Sequence, residues 1–327
     1  MEELDKAGGR GPTGGVTAAP GPRPQTGGMT DAIARPALDA DALASALLAP
    51  RGPLARLDVV ATSGSTNADL VAAASRTPDA WPAPSLLVAD HQTSGKGRAG
   101  RTWETPPRAA LTSSLLVSPG VPGDRLPWLP LLAGLAVVRA LRSVTGLRAV
   151  LKWPNDVLLP AADGVDVAGW GPYRKAVGIL VEGLAGGRAV VGVGVNVTQT
   201  ADELPVPSAT SLALSGAATT DRATLLVAQV GELVRILDAW RGAAGDARAA
   251  RQPDDGPDLA SAVADVCVTV GSRVTVDLVD ATGLEGDAYG LGAGGELLVR
   301  ADDGTRHAVV AGDVRHVRTG GAATLGG

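Results

Sequence analysis

Eight residues, SGKGRAGR at 94–101, set three glycines among three cations. Glycine loses more conformational entropy on ordering than any other residue, so three so close together point to positive φ angles or to close backbone approach to another group. A backbone that can turn its N–H groups outward, interleaved with Lys96, Arg98 and Arg101, suits a phosphate or a carboxylate. Taken alone, the stretch reads equally as a solvated basic turn. Other segments also carry chemistry: GSTN at 64–67, Gln92 just ahead of the glycine loop, KWPND at 152–156, KAVGILVE at 175–182 and VGVGVN at 191–196. Each has a plain reading beside the functional one. Ser65 and Thr66 are helix caps or ligand hydroxyls. Asn155 and Asp156 after Pro154 are an ordinary turn or a polar pair for a nucleotide, Asp156 being the candidate base. Lys175, at the head of an apolar strand, is a snorkelling surface residue or a working cation.

Two familiar phosphate motifs are excluded. SGKGR lacks the Ser or Thr that follows Gly-Lys in a Walker loop, and Val197 stands where a dinucleotide fingerprint would continue beyond Gly192 and Gly194. Glycines inside a strand instead signal close approach of a ligand or of a neighbouring backbone.

Composition narrows the remaining classes. The chain has 327 residues, net charge −5, no Phe and two Tyr. Rows of stacked aromatics for nucleic-acid bases are therefore ruled out, and the global basic balance that favours DNA is missing. A single cysteine, Cys267, excludes an internal disulfide framework, and with His91, His307 and His316 it gives no metal-ligand spacing. The start, MEELDK, lacks the pattern of a secretory signal, and no run of 18 uncharged apolar residues is present, so a soluble, cytoplasmic protein without a membrane partner is expected. Of 29 cations only four are lysines, Lys6, Lys96, Lys152 and Lys175. Three of those four fall inside the segments above, where a compact ammonium does what a guanidinium does not.

The elements that must position these residues follow from pattern. Residues 7–30, rich in Gly, Pro, Thr and Ala, read as a disordered tail. A short helix behind Asp39, a strand at 57–60, and a helix capped by Ser65 or Thr66 come next. SLLVAD at 85–90 reads as a buried strand that delivers Gln92 and the glycine loop. Further strands are expected at 110–117 and 149–153, with a buried helix over 126–144 between them. Residues 160–173 read as an exposed excursion. KAVGILVEG and RAVVGVGVNV form a hairpin through Gly186-Gly187, and a helix follows over 221–241. Residues 242–258 have linker composition. Short alternating segments from about 261 to 318 predict a small all-β barrel.

In this order and spacing the segments resemble the catalytic domain of biotin protein ligases, over about residues 57–318. The resemblance implies an α+β fold: a mixed-sheet catalytic domain of the class II aminoacyl-tRNA synthetase and biotin ligase type, then a small SH3-like β-barrel. Its expected boundaries are a tail at 1–33, the biotin- and ATP-binding domain at 34–258, the SH3-like domain at 259–318 and a tail at 319–327. It implies activation of biotin with ATP, Mg2+ riding on the phosphates, to biotinyl-5′-AMP, and transfer to a lysine of a biotin carboxyl carrier domain, that of acetyl-CoA carboxylase or a related carboxylase. Ser65, Thr66, Asn67 and Gln92 match positions that hold the biotin ring, and Lys96, Gly97 and Arg98 match the loop that closes over it. Arg98, Arg101, Asn155 and Asp156 match the nucleotide side. Lys175 matches a lysine near the activated carboxyl and the phosphates, so the implied catalytic set is Lys175, Arg98 and Asp156, with no protein-held metal.

The family's loop commonly has arginine where Lys96 stands, which replaces a fork by a point charge. Its repressor members add an N-terminal DNA-binding domain of some 60 residues. Only about 56 residues precede the first motif here, nearly half of them tail-like, so a ligase without DNA binding is expected. A lipoate-protein ligase is the enzymatic alternative, and a non-catalytic biotin-responsive binding protein the other. Because residues 1–30 show no apolar period, deleting them is expected to leave ligation within a few-fold of the full chain, measured as biotin incorporation.

Overall fold

The computed structural model describes residues 35–252, 256–278 and 283–316. The expected tails, 1–33 and 319–327, lie outside them. Asp39 opens α1 (Ala40–Leu47) by accepting from the N–H groups of Asp41 and Ala42, and Leu43 and Leu47 turn inward. After β1 (Arg56–Val60), Ser65 caps α2 (Thr66–Arg76), accepting from Ala68 N–H. β2 (Ser85–Ala89) leads into a tiny hairpin, β3 (Gly95–Lys96) with β4 (Thr102–Trp103), and then into β5 (Ala110–Val117). A 3-10 turn over Gly123–Trp128 runs into α3 (Leu129–Thr145). Strands β6 (Val150–Lys152), β7 (Asp156–Pro160), β8 (Tyr173–Leu184) and β9 (Arg188–Asn196) follow. Asp221 caps α4 (Arg222–Gly242).

These strands form one seven-stranded sheet, ordered β1-β2-β5-β9-β8-β7-β6. Only β1 and β2 are parallel, so the sheet is mixed. Alternation decides which side each residue faces. Leu111, Leu115, Val191, Val193 and Val195 join the large core under α3 and α4, whereas Leu116 and Val190 pack with Leu70 and Ala74 of α2 on the opposite face. Among the described residues one helical stretch, Gly123–Thr145, is long and apolar enough to cross a bilayer, and 72% of its most apolar window is buried against the rest of the chain.

The last part departs from expectation at its start. Residues 259–266, whose neighbours from 261 onward read as strands, form α5 (Leu259–Val266), capped by Asp258. Leu259, Ala262, Val263 and Val266 recur at helical spacing and are buried, and the helix packs against α3 and β6. Then come β10 (Arg273–Asp277), β11 (Gly283–Leu291), β12 (Leu297–Arg300), β13 (Arg306–Val309) and β14 (Asp313–His316). They make an antiparallel five-stranded sheet in the order β13-β12-β11-β10-β14. Indole N–H groups stitch it to the larger sheet: Trp128 donates to Ala293 O at 2.8 Å and Trp153 to Gly295 O at 3.2 Å.

The excursion at 160–173 is exposed over 162–166 and at Ala168 and Pro172, and half-buried elsewhere. Arg174, 7% exposed, donates to Val165 O and reaches Asp163. Gly169 bridges to His316 at the end of β14, and the His316 ring lies 3.2 Å from Thr269 Oγ1. Burial, reinforced by the nearby Lys152 charge, pushes the His316 imidazole down to about 4. An unfolded histidine titrates near 6.5, so between roughly pH 6.5 and pH 4 the unfolded chain binds a proton that the folded chain refuses. Stability present above that window is thus lost as pH falls through it, by up to about 3 kcal/mol at 1.4 kcal/mol per unit. Urea melts at pH 7 and pH 4.5 are expected to show a smaller difference in His316→Gln than in the unaltered chain.

Candidate functional site

One half-open cleft gathers the site residues proposed from sequence: Ser65, Thr66, Asn67, Gln92, Lys96, Gly97, Arg98, Arg101, Asn155, Asp156 and Lys175. Its floor is the α2 face of the large sheet. There Thr112, Gly194 and Gly178 lie side by side across β5, β9 and β8, and Ser114, Gly192 and Leu180 form the next row. Small residues at alternate positions leave the hollow, while the intervening valines fill the core behind it.

The polar end is already wired. Gln92 Oε1 accepts from Thr66 N–H at 2.8 Å and from its hydroxyl at 3.0 Å. Ser114 Oγ donates toward Thr66 Oγ1 and Asn67 Oδ1, and Asn67 Nδ2 donates to Leu180 O and to Glu182 Oε2 at 2.8 Å. The Asn67 side chain occupies the space that a Cβ on Gly192 would need. Of the two readings the sequence left open, Ser65 takes that of a cap of α2, and both Ser65 and Thr66 line the cleft.

The cationic end is built from the glycine hairpin and the KWPND turn. Ala99 and Gly100, with φ of 53° and 73°, turn the hairpin tip through the left-handed region. Arg98 donates to Asn155 Oδ1 at 3.0 Å, and Asn155 Nδ2 in turn donates to Ile179 O at 2.7 Å. Arg101 pairs with Asp313 of β14 at 2.8 Å. Lys175 pairs with Asp156 at 2.6 Å and stands 5.9 Å from the Trp103 ring. Asp313 and Val314 line the cleft too, so the small sheet completes the site.

Four contributors were given no role by the sequence reading. Lys152 lines the cleft at 5% exposure; burial lowers its pKa, opposed by Asp156 and Asp313 and assisted by Lys175 and Arg101. Its place in the lysine-poor composition was the available signal. Trp103 lies over Gly178 and Gly194, with a buried Nε1 that has no partner among the described residues. Ser114 and Glu182 fix Thr66 and Asn67, a role visible only once β5 and β8 flank α2. Among the described residues no three His, Cys, Asp or Glu side chains are grouped to hold a metal.

The profile of the Biotin/lipoate A/B protein ligase family matches residues 62–198, the span that carries most of these groups. Over 289 residues the chain is 39% identical to the biotin–[acetyl-CoA-carboxylase] ligase of Mycobacterium tuberculosis, covering 87% of this chain and 97% of that protein. The chain belongs to the biotin protein ligase family. It is also 34% identical over 152 residues to the bifunctional ligase/repressor BirA of Bacillus subtilis, a match spanning 44% of this chain and 43% of that one. In structure it resembles the biotin protein ligase of Aquifex aeolicus in complex with biotin and ATP, with a TM-score of 0.62 at 25% identity, over 81% of this chain and all of that one. The family's fold, a mixed-sheet domain followed by a small β domain, is thus the fold of this chain.

A methyl group on Gly194 would lie 2.7 Å from Trp103 Cε2. Gly194→Ala is therefore expected to displace the indole and destabilise the fold by about 1–3 kcal/mol, seen as a lower urea midpoint and altered tryptophan emission. Gly231, on the exposed side of α4 with open space around it, is the control. There alanine is expected to stabilise by about 0.5–1 kcal/mol.

Proposed function

We infer that this chain is a biotin protein ligase, which joins biotin to ATP as biotinyl-5′-AMP, releases pyrophosphate, and passes the biotin to a lysine of a carboxylase's biotin carrier domain. The observation that carries the reading is the polarity of this cleft. A neutral, pre-wired pocket of Ser65, Thr66, Asn67 and Gln92 adjoins a cluster of five cations, Lys96, Arg98, Arg101, Lys152 and Lys175. Both Asn67 amide hydrogens and Gln92 Oε1 are engaged and Asn67 Oδ1 already accepts from Ser114 Oγ, which leaves the second lone pair of Asn67 Oδ1 to accept and Gln92 Nε2 to donate. That pattern complements a cyclic urea, which carries N–H donors beside a carbonyl.

The chemistry explains the cations. Biotin's carboxylate is ionised near pH 7, since carboxyl pKa values lie around 4, so attack on the α-phosphorus needs no general base. It needs charge neutralisation, because one anion must approach another within bonding distance. Mg2+ enters with ATP as part of that substrate, and the preorganised Lys and Arg groups supply the remaining positive charge. Lys152, fixed in the driest part, and Lys175, held by Asp156, flank the place where carboxylate and α-phosphate meet. Arg98 and Arg101 serve the nucleotide side from the loop. In transfer the nucleophile is an amine that is protonated near neutrality, and Asp156 is the group to orient it and take its proton.

The specific acceptor in this reading is the carrier domain of acetyl-CoA carboxylase or a related carboxylase, met in the cytoplasm, with no DNA partner. Biotin-dependent ATP–pyrophosphate exchange tests it, and exchange driven by lipoate instead would sink it. Lys152→Gln and Lys175→Gln are each expected to slow exchange by roughly 10²- to 10³-fold, with melting temperature unchanged in Lys175→Gln and lowered in the buried Lys152→Gln. A wild-type rate in either variant removes that lysine from the activating set.

A further inference from the structure

Lys152 has an unusual environment for a cation. It is 5% exposed, and the carboxylates of the site are engaged elsewhere: Asp156 with Lys175 at 2.6 Å and Asp313 with Arg101 at 2.8 Å. The contact recorded for its ammonium is an aromatic face. Lys152 Nζ lies 4.6 Å from the ring centroid of Trp170. That tryptophan does not line the cleft and sits near the end of the excursion between β7 and β8, at the centre of a tight turn. Trp170 and Gly171 N–H both donate to Val167 O at 2.9 Å, and Val167 N–H donates back to Gly171 O at 3.0 Å.

The turn is anchored on both sides. Toward the large sheet, buried Arg174 donates to Val165 O at 2.8 Å and reaches Asp163 at 3.3 Å. Toward the small sheet, His316 N–H donates to Gly169 O at 3.2 Å. A surface loop with no task beyond connecting β7 to β8 would not need two anchors around one half-buried indole.

We propose that Trp170 is a positioning residue, whose ring face keeps the Lys152 ammonium charged and fixed at the wall of the cleft. The proposal rests on the reading of Lys152 as an activating cation. Burial and the positive charges of Lys175 and Arg101 favour loss of the Lys152 proton; Asp156 and Asp313 oppose them, and His316 beside it is held neutral. The negative face of an indole adds to the opposing side and, unlike a carboxylate, leaves the positive charge of the site undiminished for substrate. The small sheet thus acts on the active-site lysine directly through the Asp313 charge and, by way of β14 and the turn, through the ring.

The test is the pH profile of biotin-dependent ATP–pyrophosphate exchange in the full chain. In Trp170→Leu the alkaline limb is expected to move down by about one pH unit, as loss of a partly desolvated cation–π contact requires, while Trp170→Phe keeps most of the wild-type limb. Fluorinated tryptophan incorporated throughout provides a second measurement that leaves the packing intact. It weakens the ring face, so the limb moves down in the wild-type sequence and not in Trp170→Phe. An unmoved limb in both folded Trp170→Leu and fluorinated wild type, with Lys152→Gln inactive, overturns the role of Trp170 alone. Wild-type exchange in Lys152→Gln overturns the premise as well.

Discussion

Like charges must be held together before two anions can be. Five cations converge on one cleft, and at an effective dielectric near 20 each pair at close range repels by a few kcal/mol. The structure meets this with a separate partner for each of four of them. Arg98 has the Asn155 amide, Arg101 has Asp313, Lys175 has Asp156, and Lys152 has the face of Trp170. The partners come from four places: the turn before β7, β14 of the small sheet, the start of β7, and the excursion after it. The cleft therefore cannot be assembled from the large sheet alone, and this is a physical reason for the small sheet to be closely stitched to it.

The neutral half of the site depends on a simpler rule. Because strand side chains alternate, one sequence such as VGVGVN does two jobs. Val191, Val193 and Val195 build the core beneath α3 and α4, and Gly192 and Gly194 clear room on the other face for Asn67 and Trp103. A register slip of one residue would put valines into the cleft and glycines into the core. The eight continuous pairs between β5 and β9, and the eight between β8 and β9, guard against it.

How much of this was legible depended on whether a residue acts through its own type or through a neighbour. Polar groups clustered in short motifs, Ser65 to Asn67, the glycine loop, Asn155 and Asp156, announce themselves, and the cleft brings them together. The apolar periods likewise gave the β8–β9 hairpin and the two long helices close to their observed positions. Lys152 was marked by the scarcity of lysine but given no role, because a lysine before Trp153 and Pro154 looks like part of a turn signal and burial is not written in local sequence. Trp170 sits among glycines in a segment whose first half really is exposed. Residues 259–266 were read with the alternating segments that follow, although their i, i+3, i+4, i+7 spacing is helical.

The strengths of the partners also divide the site into a fixed part and a releasable one. Arg101 and Asp313 are both more than half exposed, and such pairs contribute about 0–1 kcal/mol, comparable to thermal energy. The glycine hairpin that carries Arg101 is also tied by two residue pairs between β3 and β4, by Gly97 N–H to Arg101 O and by Arg98 to Asn155 Oδ1. Lys152 and Asn67, by contrast, are nearly dry, and disturbing either strands a buried polar group at a cost of about 1–3 kcal/mol or more. The neutral pocket and the innermost cation are therefore rigid before any ligand arrives, whereas the loop and its contact to β14 can exchange partners at little cost. A buried anion, offering Arg98 and Arg101 stronger charge-assisted bonds than an amide or an exposed carboxylate, is the kind of partner for which that exchange is favourable.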